Sequence, residues 1–171
     1  LALSGANEGL WDWYIDSDIL HFDSRYYTIA GYEPNEFPAS FDEWEKRIHP
    51  DDIQQIKLSV KQYLSKELED YDVEFRFLRK TGDYMWIHGK GKIVAYNEKG
   101  DPTRFIGTHS DITERKRIEQ SLRFTQFGYE KAAIGIYHIK SDGRISNVNH
   151  QAAKSLGYTI EELSGMSIFD I

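Results

Sequence analysis

The chain has 171 residues, 40% of them hydrophobic and 14% aromatic, enough for an ordinary core in one or two domains and too apolar for a disordered chain. Its 28 acidic residues outnumber 21 basic ones for a net charge of −7, which argues against nucleic acid as a partner. Cysteine is absent, removing disulfides, thiolate nucleophiles and most structural zinc arrangements.

Residues 1–7 read as a short helix with Leu1, Leu3 and Ala6 turned inward. Gly9 to Ile15 and Ile19 to Phe22 are predicted as strands joined by the polar turn Asp16-Ser17-Asp18. Trp11 and Trp13 share one face of the first strand, and Leu10 and Tyr14 the other. Asp23 or Ser24 can cap a short helix through Tyr26, Tyr27 and Ile29 that stops at Gly31. Ser40 to Glu43 forms a capping-box pattern ahead of Trp44 and Ile48. A longer helix follows His49, with Pro50 at its first position and Asp51 and Asp52 on the positive end of its dipole. Ile53, Ile56, Val60 and Leu64 repeat at three and four, so one side of that helix lies on a core.

Val73, Phe75 and Phe77 alternate with Glu74 and Arg76, the period of a strand with one buried face. A second strand is predicted from Tyr84 to Tyr96, where Gly89 and Gly91 signal a bulge or a close backbone approach, and a third from Thr103 to Ser110. Strands, short helices and then three more strands describe an α+β fold. Asp111 is expected to cap the next helix, which runs to about Ala132, with Glu114 completing a capping box. On that helix Ile118, Leu122 and Tyr129 fall on a heptad-like seam; it reads either as a coiled coil or as a linker helix packed on its own domain. Beyond it the chain repeats itself at a constant shift of 126: Gly9 meets Gly135, Asp16 meets Asp142, Ile19 meets Ile145 and Glu36 meets Glu162. The repeat's apolar face, Ile134, Ile136, Ile139, Ile145 and Val148, is expected to be more than so short a segment can cover alone.

Six motifs stand in one order: Gly-Leu-Trp-Asp-Trp (9–13), Gly-Tyr-Glu-Pro-Asn-Glu-Phe (31–37), Ile-His-Pro-Asp-Asp (48–52), Tyr-Asp-Val-Glu-Phe-Arg-Phe (71–77), Asp-Tyr-Met-Trp-Ile (83–87) and Gly-Thr-His-Ser-Asp-Ile-Thr-Glu-Arg-Lys (107–116). Over about residues 1–118 this resembles a PAS domain with its PAC segment, the sensory box of bacterial and archaeal sensor histidine kinases and cyclic-di-GMP enzymes. The resemblance implies a five-stranded antiparallel sheet in the order 2-1-5-4-3 with helices on one face, followed by a long linker helix. The expected division is 1–111 for the PAS/PAC domain, 112–131 for the signalling helix and 132–171 for the opening part of a second PAS domain. It further implies a signal relay through Asp111, Ile112, Thr113, Glu114 and Arg115.

Chemistry is scarce. None of the six histidines lies in a metal-binding spacing, and no phosphate cradle, nucleophile elbow or kinase nucleotide motif is present. The fragment is expected to be non-catalytic, with no metal, and neither haem nor flavin is expected. Tyr27, Trp44, Phe75, Phe77, Trp86 and His88 are candidate walls of a pocket for a small ligand that the sequence does not name, with plain core packing as the other reading; His109, on a strand next to that of His88, could line the pocket with it. The expected role is a sensory and relay module of a multidomain signal-transduction protein, first a sensor histidine kinase of a two-component system. A module of a diguanylate cyclase or phosphodiesterase and a ligand-free dimerisation module are the alternatives. A homodimer through the linker helix or the N-terminal segment, and an effector domain downstream in the same chain, are the expected partners. No run approaches a membrane span, so no membrane contact is expected of this fragment and cytoplasmic placement is. An opening at Leu1 without Met suggests a longer parent, which could carry an anchor elsewhere.

Overall fold

A computed structural model describes residues 8–171; the helix expected over residues 1–7 lies outside the described residues. The chain divides into two compact units, meeting in sequence at Lys116 and Arg117.

The first unit contains β1 (Glu8–Tyr14), β2 (Ile19–Phe22), α1 (Ser24–Thr28), α2 (Phe41–Glu45), α3 (Pro50–Leu64), β3 (Tyr71–Leu78), β4 (Tyr84–Tyr96) and β5 (Pro102–Asp111). Its strands form one antiparallel sheet in the order β2-β1-β5-β4-β3, so β5, last in sequence, is central in space. Period-two alternation decides the faces: Phe75, Phe77, Met85, Ile87, Ile93 and Phe105 are buried under the helices, while Glu74, Arg76, Trp86 and His88 stand on the opposite face.

The helices start where their caps lie. Asp23 is extended and its carboxylate accepts the Tyr26 N–H at 2.7 Å, opening α1. Ser40 Oγ accepts the Glu43 N–H at 3.2 Å, but the Glu43 carboxylate turns to Lys46 and Arg47 at 2.5 and 2.7 Å, so the expected capping box is half made. At α3, Pro50 occupies the first turn and His49 Nδ1 accepts the Asp51 N–H at 3.2 Å. The α3 stripe then buries Ile56, Val60 and Tyr63, with Ile53 and Leu64 at its margin.

The helix α4 (Thr113–Lys131) has no buried residue among those described. The second unit adds β6 (Tyr137–Ile139), β7 (Ile145–Val148), α5 (His150–Leu156) and α6 (Ile160–Leu163). Its hairpin and first helix reproduce the first unit at the 126-residue shift: β7 falls on β2, and α5 starts where α1 does. The short core is partly closed. Ile145, Val148, Ala152, Ala153 and Leu163 are buried, whereas Ile134 is 71% exposed and Ile139 is also exposed.

One residue shows how closely the units correspond. Asp23 Oδ1 accepts from Leu10 N and Tyr26 N; its counterpart Asn149 accepts through Oδ1 from Ile136 N and Ala152 N, each 3.0 Å away. Asp23 is exposed to water, while Asn149 is fully buried, where a carboxylate would be costly. The amide also donates, to Tyr129 O at 2.9 Å and Ile134 O at 3.0 Å. Its hydrogen-bonding capacity is thereby divided between the start of α5 and the junction of α4 with the hairpin.

Candidate functional site

Two features of the first unit carry its chemistry: a cavity between sheet and helices, and the junction where β5 becomes α4.

The cavity has a volume of about 40 Å³. Its floor is the Trp11 indole, which lies across two strands because β5 and β4 carry glycine there. A Cβ at Gly91 would stand 2.6 Å from Phe105 and 2.7 Å from Trp11, and one at Gly107 would collide with Trp11 and the Lys90 carbonyl. Register places Trp11 opposite Gly107, and Gly107 opposite Gly91, in a single row. Gly91 is therefore the close backbone approach, and the strand's irregularity falls later, between Ile93 and Tyr96. Trp44 of α2, Val60 of α3, Tyr71 and Phe105 of the sheet, and His109 complete the walls named here.

His109 is 5% exposed, with its ring 5.0 Å from Tyr26 and 5.3 Å from Phe75. Burial pushes its pKa down to about 3, so it is neutral at physiological pH. Burial likewise raises the Tyr26 and Tyr71 phenols. Trp11 Nε1 and Tyr26 OH are buried without a hydrogen-bond partner among the described residues.

Of the pocket residues expected from sequence, Trp44 lines this cavity. Tyr27, Phe75 and Phe77 are core residues beside it, and Tyr27 OH is satisfied by the Phe37 carbonyl at 3.1 Å. Trp86 and His88 correct the expectation. Both have even parity in β4, opposite to Met85 and Ile87, so both stand on the far face of the sheet. There His88 Nε2 meets Asp72 at 2.6 Å. His109, the other histidine offered for the pocket, does line it, on the same strand parity as Phe105, whereas Trp11, Tyr26, Val60, Tyr71 and Phe105 are among the walls that sequence did not propose.

The junction is built on Trp86. The Ile112 N–H donates to the Trp86 carbonyl at 2.9 Å and the Trp86 N–H donates to Thr113 Oγ1 at 3.0 Å, so the backbone that leaves the sheet is clamped on both sides of one peptide. Asp111 Oδ1 accepts the Thr113 N–H at 2.8 Å. The expected capping box with Glu114 is not formed among the described residues: Asp111 is the last residue of β5, and α4 begins at Thr113 with Ile112 between them. Arg115 and Lys116 both reach Glu74 of β3, whose carboxyl is held below its ordinary range by the Lys116 hydrogen bond. Over the Trp86 ring stand Lys116 at 5.1 Å and Arg76 at 5.7 Å. Arg76 in turn grips Asp52 of α3 at 2.6 and 2.9 Å and depresses its pKa. Asp52 is thus held by Arg76 as well as by the helix dipole.

On α4, Ile118 and Leu122 are 60% and 68% exposed, joined by the exposed Phe124 and Phe127. Tyr129 differs from the expected seam: its hydroxyl is buried and its ring packs on His138 at 5.5 Å, within the second unit.

A family profile for the PAS fold matches residues 19–109, more than half of the chain. The chain belongs to the PAS family. A second profile, for a PAS domain, matches residues 132–171. Among solved structures, a sensory box histidine kinase/response regulator from Burkholderia thailandensis is similar to this PAS chain with a TM-score of 0.66 and 35% identity, over 77% of this chain and 96% of the solved one. The methyl sulfide methyltransferase-associated sensor of Methanosarcina acetivorans is 28% identical over 116 residues, 68% of this chain and 12% of that sensor. The sensor protein FixL of Bradyrhizobium diazoefficiens is 26% identical over 165 residues, 96% of this chain and 31% of FixL. The PAS chain thus spans a third or less of these two relatives. No described helix is long and apolar enough to cross a membrane.

Proposed function

We propose that the chain is a sensory and relay module of a larger signal-transduction protein, with a sensor histidine kinase as the parent. Occupancy of the cavity biases the packing of α3 on the sheet, and the junction at Trp86 passes that bias into α4. The observation that carries this reading is a connected set of side chains. Val60 of α3 walls the cavity, Asp52 of the same helix grips Arg76, Arg76 and Lys116 flank Trp86, and Lys116 and Thr113 belong to the first turn of α4. A helix held at both ends of such a set is a two-state element that small differential contacts can shift. Support for the kinase parent comes from the Burkholderia sensory box histidine kinase/response regulator, matched over 96% of its solved chain.

The apolar stripe of α4 has a role in the same reading. Ile118 and Leu122 pair with their copies in a homodimer and carry the movement to a downstream effector domain. The test is a double-mutant cycle in the full-length parent with Trp86→Leu and Lys116→Ala, reading autophosphorylation. Expected are a changed output in each single variant and a non-additive double. Unchanged output in all three, with the module still folded, refutes the relay.

A further inference from the structure

Resting on the reading of the cavity as a ligand site, we propose that its ligand is a small uncharged molecule of a few heavy atoms, an apolar body bearing a carbonyl-like hydrogen-bond acceptor. Three observations define that class. First, size: about 40 Å³ is available, against the order of 10–15 Å³ that one water needs, so the space suits a handful of atoms rather than a large cofactor. Second, charge: among the described residues the walls contain no Asp, Glu, Lys or Arg. Their titratable members are neutral, His109 because burial lowers its pKa and Tyr26 and Tyr71 because burial raises theirs. An ion placed there would lose its hydration and meet no counter-charge. Third, polarity: the Trp11 Nε1–H and Tyr26 O–H belong to wall residues and are buried without partners among the described residues. Buried donors in native proteins are nearly always satisfied, and what two unpaired donors require is an acceptor.

The experiment titrates the intact chain and follows the indole N–H resonances of Trp11 and Trp44. The probes are 2-butanone and propanamide, with propanoate and propylammonium as charged counterparts of similar size. The uncharged pair should give saturable shifts, and the charged pair none at ten times the concentration. Tyr26→Phe keeps the ring and removes the donor; it should weaken 2-butanone by about fivefold, the equivalent of one hydrogen bond. Leu20 of β2 also lines the cavity, and Leu20→Phe, which fills it from that side, should abolish the shifts. Binding of either charged probe as tight as that of the uncharged pair overturns the ligand class and leaves the cavity as a ligand site. Unchanged 2-butanone affinity in Tyr26→Phe overturns the acceptor assignment. If no probe of either kind gives a saturable shift, the cavity is not a ligand site, and the sensing half of the proposed function falls with the ligand class.

Discussion

Replacing Asn149 by Asp exchanges one atom for another of nearly the same size and should nevertheless release the end of α4 from the hairpin that follows it within the second unit. The two bonds accepted by Oδ1, from Ile136 N and Ala152 N, survive the change, as Asp23 demonstrates with Leu10 N and Tyr26 N in the first unit. The two bonds donated to Tyr129 O and Ile134 O do not. Two neutral hydrogen bonds are worth about 1 kcal/mol each, and the carboxylate, fully buried and facing two carbonyl oxygens, adds a desolvation and repulsion cost, for about 3–5 kcal/mol in total at neutral pH. A unit with so small a core has little more than that to lose. The introduced carboxyl would have its folded pKa raised above the unfolded value near 4. Its protonated form can still donate one bond, so the lost stability should return as pH falls below the raised pKa, the opposite of ordinary acid destabilisation. Hydrogen exchange of the amides from Tyr129 to Tyr137, measured at pH 7 and pH 5, reads the effect directly. Protection that matches the parent at both pH values would refute the reasoning, because it would mean the two donated bonds contribute nothing.

Other outcomes follow from the first unit. His109 is neutral in the folded state down to about pH 3 but titrates near 6.5 when unfolded. Stability from this group is therefore fully present above about pH 6.5 and lost as pH falls towards 3. Between pH 7 and 5 the loss should be about 2 kcal/mol, and His109→Phe should remove it from urea denaturation curves. Gly107→Val should cost about 3 kcal/mol or more, since its Cβ collides with the Lys90 carbonyl and the Trp11 indole; denaturant midpoints measure it. Asp111→Ala removes the bond to Thr113 N–H and should cost about 0.5–2 kcal/mol, seen as faster exchange in the first turn of α4. The proposed pairing of α4 with its copy predicts that Ile118→Glu combined with Leu122→Glu lowers the sedimenting mass relative to the unsubstituted chain at the same concentration, and an equal mass for both would refute the pairing.

Much of this architecture was legible before any coordinates. The alternation of Val73, Phe75 and Phe77, the caps at Asp23 and Ser40, and Pro50 after His49 are local signals, and each produces its element through interactions within a few residues. The repeat at 126 residues was equally visible, because corresponding hairpins need the same side chains at the same spacing. The candidate site was less so. Trp86 and His88 on one side and His109 on the other are all strand residues, and assigning each to a face depends on pairing two strands across the sheet. The capping box at Asp111 failed for a related reason: a pattern of residue types does not reveal that β5 still holds its first member.

What the chain specified locally was therefore where most strands and helices begin, that a second copy of the hairpin follows the first, and that α4 carries an apolar stripe, whose exposure only the fold shows. Long-range pairing decided the rest. It set β5 in the middle of the sheet, laid the Trp11 indole over Gly91 and Gly107 to open a cavity, stacked Arg76 and Lys116 on Trp86, and brought Asn149 to carbonyls 20 and 15 residues before it. Each of these depends on side chains distant in sequence meeting at a fixed register, and only the folded sheet supplies that register.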